Sequence, residues 1–382
     1  MSQNLLRNAQ FIAADGKQET GSIVIEDGAF ADLSTDHQTV QFDEVDVSGA
    51  NLYPGFIDVH NHGAVGVDVN GADADGLVEV GRFLARNGVT AWMPTLVPDS
   101  DDNYRRVIGE IEKVRGFQDG MPIAQIVGVH YEGVFANEKM CGALRPEFFK
   151  KFTGSELAEL PRLSGGAHMT TFAPEIDGGI ALVEELVRRG WIASIGHTNA
   201  DTETLDRAFA AGARHVTHFF NAMSGVHHRD VGVAGWTLSN PEVTFDIIAD
   251  GIHVHPKMVE LACRAKSASG VTLISDSVAP TGRGDGQFEL WGETISVENG
   301  RTRNERGSIA GSVITMLDAA RMLRSLGFSG SDISKMASLN PAKLLGIDSR
   351  YGSIEVGKRA DLVALDADGE VAWVMIGGKM VG

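Results

Sequence analysis

From residue 53 onward the chain alternates short apolar runs with stretches whose apolar residues recur every three or four positions. The runs lie at 55–59, 89–94, 123–129, 169–173, 191–195, 213–217, 243–249 and 271–274. Each is too short for a stable helix and reads as a strand. Between them, the segments 75–86, 103–114, 179–189, 202–211 and 256–266 carry the spacing of amphipathic helices. Eight such strands, each followed by a helical stretch, predict a (β/α)8 TIM barrel of the α/β class.

The two ends of the chain have a different texture. Residues 23–25 and 40–47 read as short strands between Gly and Asp turns. After the eighth run come a glycine-rich, strand-like insertion (281–306) and two helical patterns (312–326 and 331–345). Strand texture then returns at 352–354, 360–365 and 371–376. Strands at both ends with a barrel between them predict a small β-sandwich domain built from residues 1–53 and 352–382. The barrel would occupy residues 54–351.

Composition narrows the partners. The formal net charge of −18 repels nucleic acid and anionic membranes. A small anionic substrate still fits, because a local pocket can be positive on a negative protein. The 46 glycines suit a fold with many tight strand-to-helix turns. Only two cysteines occur, Cys141 and Cys263, far apart and without metal-type spacing, which points to a reducing compartment rather than a disulfide framework. No basic start followed by an apolar run opens the chain, and no stretch approaches 18 apolar residues, so a cytoplasmic protein is expected.

The candidate chemistry lies where histidines and acids fall relative to the strands. Barrel enzymes build their sites at the C-terminal ends of strands, where several segments converge. His60 and His62 follow the first run; two residues apart in extended chain, they point to one side. Glu132 ends the third run, where a carboxylate is costly to desolvate without a cation or several donors. His197 closes the fifth run, His218 the sixth, and Asp276 the eighth, where an acid could act as general base. Singly, each also reads as an ordinary loop acid or a hydrogen-bonded histidine. Together they place imidazoles and carboxylates at the ends of strands 1, 3, 5, 6 and 8, a donor set suited to a divalent ion such as Zn or Fe.

These residues also resemble a known family. PGFIDVHNHG (54–63), VHYEG (129–133), IGHTNA (195–200), THFFNAMSGVHHR (217–229), ADGIHVHP (249–256), ISDSVAPTG (274–282), GSIAGS (307–312), NPAKLLGI (340–347) and GSIEVGKRADLVALD (352–366) are similar, in this order, to the N-acetylglucosamine-6-phosphate deacetylases of the amidohydrolase superfamily. The resemblance implies that Glu132, His197 and His218 hold the principal metal and that His60 and His62 help hold a second, giving one or two ions per subunit. It implies Asp276 as the acid/base, and Asn221, the backbone at Ala222 and His253 as contacts of the sugar phosphate. Arg229 would reach the phosphate of a neighbouring subunit's substrate, implying a homodimer, with His228 beside it. The expected reaction converts N-acetyl-D-glucosamine 6-phosphate to D-glucosamine 6-phosphate and acetate. Two departures stand out. Val134 replaces the usual Pro, and Leu144 stands where the family commonly has a substrate-contacting histidine. Leucine donates no hydrogen bond, so another N-acyl sugar such as N-acetylgalactosamine 6-phosphate is the alternative substrate. His37, His168, His215 and His255 read as surface or packing residues.

Overall fold

The computed structural model describes residues 3–34 and 43–381. His37 and the first part of the run at 40–47 lie outside the described residues. Eight parallel strands pair in sequence order: Phe56–Asn61, Val89–Leu96, Gly128–Phe135, Ala167–Phe172, Ile192–Ile195, His215–Val216, Thr244–Ile248 and Val271–Ile274. The eighth strand returns to the first through two hydrogen bonds at the barrel's C-terminal rim. Asp276 N–H donates to His60 O (2.9 Å) and His62 N–H to Ser277 O (2.8 Å). Every residue of Val89–Leu96 is buried, as expected of a strand covered by helices outside and side chains inside. The barrel interior is filled by Ile57, Val59, Ala91, Met93, Met169, Ile248 and Ile274, with Ala342 and Leu345 packed against them.

The outer helices form where capping and apolar spacing agree. Asp201 caps Thr202–Ala211 through the amide of Thr204, and Gly212 ends it at φ 117°, a backbone that favours glycine. Pro256 opens Pro256–Lys266 at a position where its missing N–H costs nothing. The helical pattern at 331–345 is in fact broken into Gly330–Ser334, a π-turn at Lys335–Leu339, and Asn340–Leu344. Asn340 N–H reaches back five residues to Lys335 O just before Pro341, which has no N–H to continue the ladder.

Two further expectations need correction. The link between the third and fourth strands is a long loop holding only short turns and the four-residue helix Glu156–Glu159. Pro146, Gly154, Pro161 and Gly165 punctuate it and leave no room for a longer helix. Residues 352–354 contribute a single bridge, Ile354 to Ala13, rather than a strand.

The strands of the two chain ends join in one sheet. Gln3–Ile12 pairs with Gln18–Glu26, Asp43–Asp46 and Asn51–Pro54, and Asn51–Pro54 pairs with Leu362–Leu365. Leu6, Phe11, Ile23, Phe30, Leu52, Leu362 and Met375 form a core of their own beside the barrel's. The insertion after the eighth strand is a three-stranded antiparallel sheet, Gly286–Leu290, Glu293–Glu298 and Arg301–Arg303. Among the described residues, no helix is long and apolar enough to cross a membrane.

Candidate active site

Five of the predicted side chains meet around Glu132. Its Oε1 lies 3.0 Å from His197 Nε2, 3.1 Å from His218 Nε2 and 3.6 Å from His60 Nε2. Its Oε2 lies 3.2 Å from His62 Nε2. The His60 and His62 Nε2 atoms are 3.1 Å apart, and those of His197 and His218 are 3.0 Å apart. Asp276 Oδ1 completes the group, 3.4 Å from His60 Nε2 and 3.2 Å from His62 Nε2. All six residues are buried.

This donor set fits a metal ion. Two groups of ligand atoms, His60 with His62 and Glu132, and Glu132 with His197 and His218, each lie within 4.8 Å of one another. Two of the imidazoles are oriented by the backbone. Nδ1 of His62 faces Thr95 O at 3.2 Å, and Nδ1 of His197 faces Met140 O at 2.8 Å. A proton on each Nδ1 leaves Nε2 free as a lone-pair donor. Charge argues the same way. Burial would lower the His62 and His218 imidazoles, but the neighbouring carboxylates override it and push them up to about 10 and about 9. Burial would raise Glu132, yet the surrounding imidazoles hold it well below the usual carboxylate range. The cavity therefore draws in positive charge, which a divalent ion supplies.

The backbone under these side chains is unusual. His197 (φ 47°), His218 (φ 33°), Ala222 (φ 50°) and Asp276 (φ 51°) all adopt the left-handed conformation that side chains disfavour. Strain of this kind persists only where surroundings impose it, and it concentrates at functional sites. Here the supports are visible. Asp246, fully buried, accepts the backbone N–H of His218 and lies 3.1 Å from His215 Nε2. Glu175, beyond the fourth strand, accepts from the Thr198 hydroxyl, from Asn199 N–H (2.7 Å) and from Asn137 Nδ2 (2.8 Å). It thereby ties the His197 turn to the loop that carries Met140. Sequence reasoning missed both acids, since neither lies in a histidine-containing motif of its own.

His62, Glu132, His197, His218 and Asp276 line a cavity of about 300 Å³. Asn221, Ala222 and His253 line it, and so do Leu144, Trp291 and Ile309. His253 Nδ1 lies 2.6 Å from Asp250 Oδ2, leaving Nε2 as the ring nitrogen available to a ligand. His228 and Arg229 are not in this cavity. They are exposed on the loop after the sixth strand, 2.7 Å from each other. The histidines set aside as packing behave so: His168 Nε2 accepts Leu163 N–H and its ring stacks on Trp191, while His215 bridges Thr244 and Asp246. His255 is exposed and caps its helix. His130 is buried against His60 and Thr171, and burial together with its imidazole neighbours keeps it neutral.

A parallel barrel whose rim gathers four imidazoles and two carboxylates defines a hydrolase of the kind that works with metal ions. The chain belongs to the amidohydrolase family, whose model matches residues 51–381, and it is a hydrolase acting on an amide C–N bond. It is 33% identical over 381 residues to an N-acetylglucosamine-6-phosphate deacetylase of Bacillus subtilis (strain 168), covering 98% of this chain and 96% of that one. It is 32% identical to an N-acetylgalactosamine-6-phosphate deacetylase of Escherichia coli O157:H7, covering 99% of each. The fold matches that of a mutant N-acetyl-D-glucosamine-6-phosphate deacetylase from Mycobacterium smegmatis, solved in complex with N-acetyl-D-glucosamine-6-phosphate. That match has a TM-score of 0.90 and 29% identity over 100% of both chains.

Proposed function

We propose that the protein hydrolyses N-acetyl-D-glucosamine 6-phosphate to D-glucosamine 6-phosphate and acetate. The observation that carries this reading is the single buried carboxylate of Glu132 shared by four imidazoles, with Asp276 beside them, in a chain whose deacetylase relatives align over nearly its whole length. Glu132, His197 and His218 would hold one divalent ion, and His60 and His62 would help hold a second. Nitrogen and oxygen donors without thiolate suit Zn or Fe. When bound, the metal lowers the pKa of water and polarises the amide carbonyl.

The chain's own groups move the protons. Burial would raise the Asp276 carboxyl, but His60 and His62 bring it below its ordinary value, so it is ionised at neutral pH. Asp276 takes one proton from the attacking water as the C–O bond forms. It then delivers that proton to the amine nitrogen as the C–N bond breaks, so that the leaving group departs as a neutral amine. Asn221, the backbone at Ala222 and His253 would orient the sugar phosphate. Arg229, with His228 beside it, would reach the phosphate bound in a partner subunit of a homodimer. Its exposure on a loop outside the cavity is consistent with a role across an interface. Two free cysteines suit the cytoplasm.

Leu144 favours one second reading. It lines the cavity where the family commonly has a histidine, so N-acetylgalactosamine 6-phosphate is the alternative substrate. The test is acetate release by protein of measured metal content from both epimers, with and without the 6-phosphate. We expect turnover of at least one phosphorylated sugar, with kcat/KM lower by at least about 100-fold when the phosphate is absent, because charge-assisted hydrogen bonds to it are lost. Failure to release acetate from either phosphorylated epimer sinks the reading.

A further inference from the structure

The walls of the cavity divide by chemistry. Asn221 and His253 come from the loops after the sixth and seventh strands, which are neighbours in the barrel. Ala143 and Leu144 come from the loop after the third strand, and Trp291 and Ile309 from the segment after the eighth. Ala143 and Trp291 pack on one apolar cluster with Val278, Leu290 and Ala310. Arg306 locks the two segments together: its Nη2 donates to Ala143 O (3.1 Å) and Leu144 O (3.3 Å), and its Nε faces Glu293 (3.0 Å). The apolar wall is therefore one braced unit rather than two loose loops.

Trp291 is held with particular care. It sits at the turn between Gly286–Leu290 and Glu293–Glu298 with φ 55°, followed by Gly292 at φ 81°. Two left-handed residues are the signature of a tight hairpin turn, where Asn or Gly is the ordinary first choice. A bulky indole there is strained, and persists only where its surroundings hold it. Its Nε1–H donates to Asp68 Oδ1 (3.1 Å), and its ring stands edge-on to His62 with centroids 5.4 Å apart. Leu144 is equally fixed. It is 3% exposed and lies so close over Gly133 that a Cβ there would meet Leu144 Cδ1 at 2.3 Å.

The scissile carbonyl must come within reach of Asp276 and the histidine cluster. Its carbon carries two substituents pointing away from each other, the sugar nitrogen and the acyl chain. The sugar phosphate takes the side with hydrogen-bonding groups, so the acyl chain faces the apolar wall. We propose that Trp291, with Ala143 and Leu144, forms the acyl pocket and sets the length of acyl chain the enzyme removes. This rests on the deacetylase reading.

The test is carboxylate release from N-formyl-, N-acetyl-, N-propionyl- and N-butyryl-glucosamine 6-phosphate. One methylene misfit in an apolar pocket is worth roughly 10–200-fold in kcat/KM. Wild-type protein should lose about 10-fold or more for each carbon beyond acetyl. Trp291→Ala should raise the butyryl-to-acetyl ratio of kcat/KM by at least about 10-fold, and Leu144→Ala should raise it in the same direction. Trp291→Phe keeps a ring in place and should retain the acetyl preference. Each ratio is internal to one preparation, so partial misfolding of a variant does not alter it. Unchanged ratios in both alanine variants, with all acyl chains slowed alike, overturn the acyl pocket while leaving the deacetylase reading intact. A wild-type protein that releases no carboxylate from any of the four, and no acetate from N-acetylgalactosamine 6-phosphate, overturns that reading itself.

Discussion

Glu132→Gln is expected to leave the protein with almost no bound metal and to lower kcat by at least about 10³-fold. Metal chemistry supplies several kcal/mol of transition-state stabilisation, and each 1.36 kcal/mol is about tenfold in rate. Glu132 is the one residue common to both groups of ligand atoms, so a single substitution disables both. Glutamine keeps the volume but removes the charge, and its amide nitrogen donates where a cation requires a donor of electrons. Only the Asp276 carboxylate then remains, beside His60 and His62, and imidazoles that become protonated repel a divalent ion and one another. The measurement is elemental analysis of the purified variant beside its turnover rate. Thermal unfolding would show that the fold survives, because the barrel core of Ile57, Val59 and Met93 does not involve Glu132. Near-stoichiometric metal in this variant would contradict the assignment of Glu132.

Asp276→Asn separates the proton from the metal. General acid–base groups contribute roughly 10²–10⁴-fold, and kcat should fall by about 10³-fold while metal content stays near the wild-type level. The substitution suits the backbone, since Asn is among the side chains that tolerate the left-handed conformation seen at φ 51°. The hydrogen bond from residue 276 N–H to His60 O, which helps close the barrel, is also preserved. A drop in kcat with little change in KM marks a group that acts in the transition state rather than in binding. A variant with near-wild-type turnover would remove Asp276 from the chemistry.

Much of this architecture is legible in the residue pattern, and the reason is local. Buried parallel strands such as Val89–Leu96 announce themselves as continuous apolar runs. Thr202–Ala211 and Pro256–Lys266 have the bounds the sequence predicts because Asp201, Gly212 and Pro256 mark their ends chemically. The six acidic and imidazole groups could be picked out because barrel topology converts their positions along the chain into one rim. What stays hidden depends on distant partners. Nothing near His197 or His218 predicts a left-handed backbone. That conformation is imposed by Asp246 on the seventh strand and by Glu175 beyond the fourth. Trp291 reaches the cavity only because its hairpin folds back onto His62 and Asp68, a tertiary fact with no periodic signature. The placement of His228 and Arg229 on an exposed loop likewise shows only in three dimensions.

If metal held by Glu132, His197 and His218, with His60 and His62 beside them, makes this chain a sugar-phosphate deacetylase, turnover must follow metal occupancy. Stripping the wild-type protein with a chelator and titrating Zn or Fe back, while acetate release from N-acetylglucosamine 6-phosphate is followed, measures that dependence. We predict no turnover in the stripped protein and recovery in proportion to bound metal, reaching a plateau at one or two ions per subunit. Acetate release that persists in fully stripped protein, or fails to return in protein shown to have rebound its metal, would contradict it.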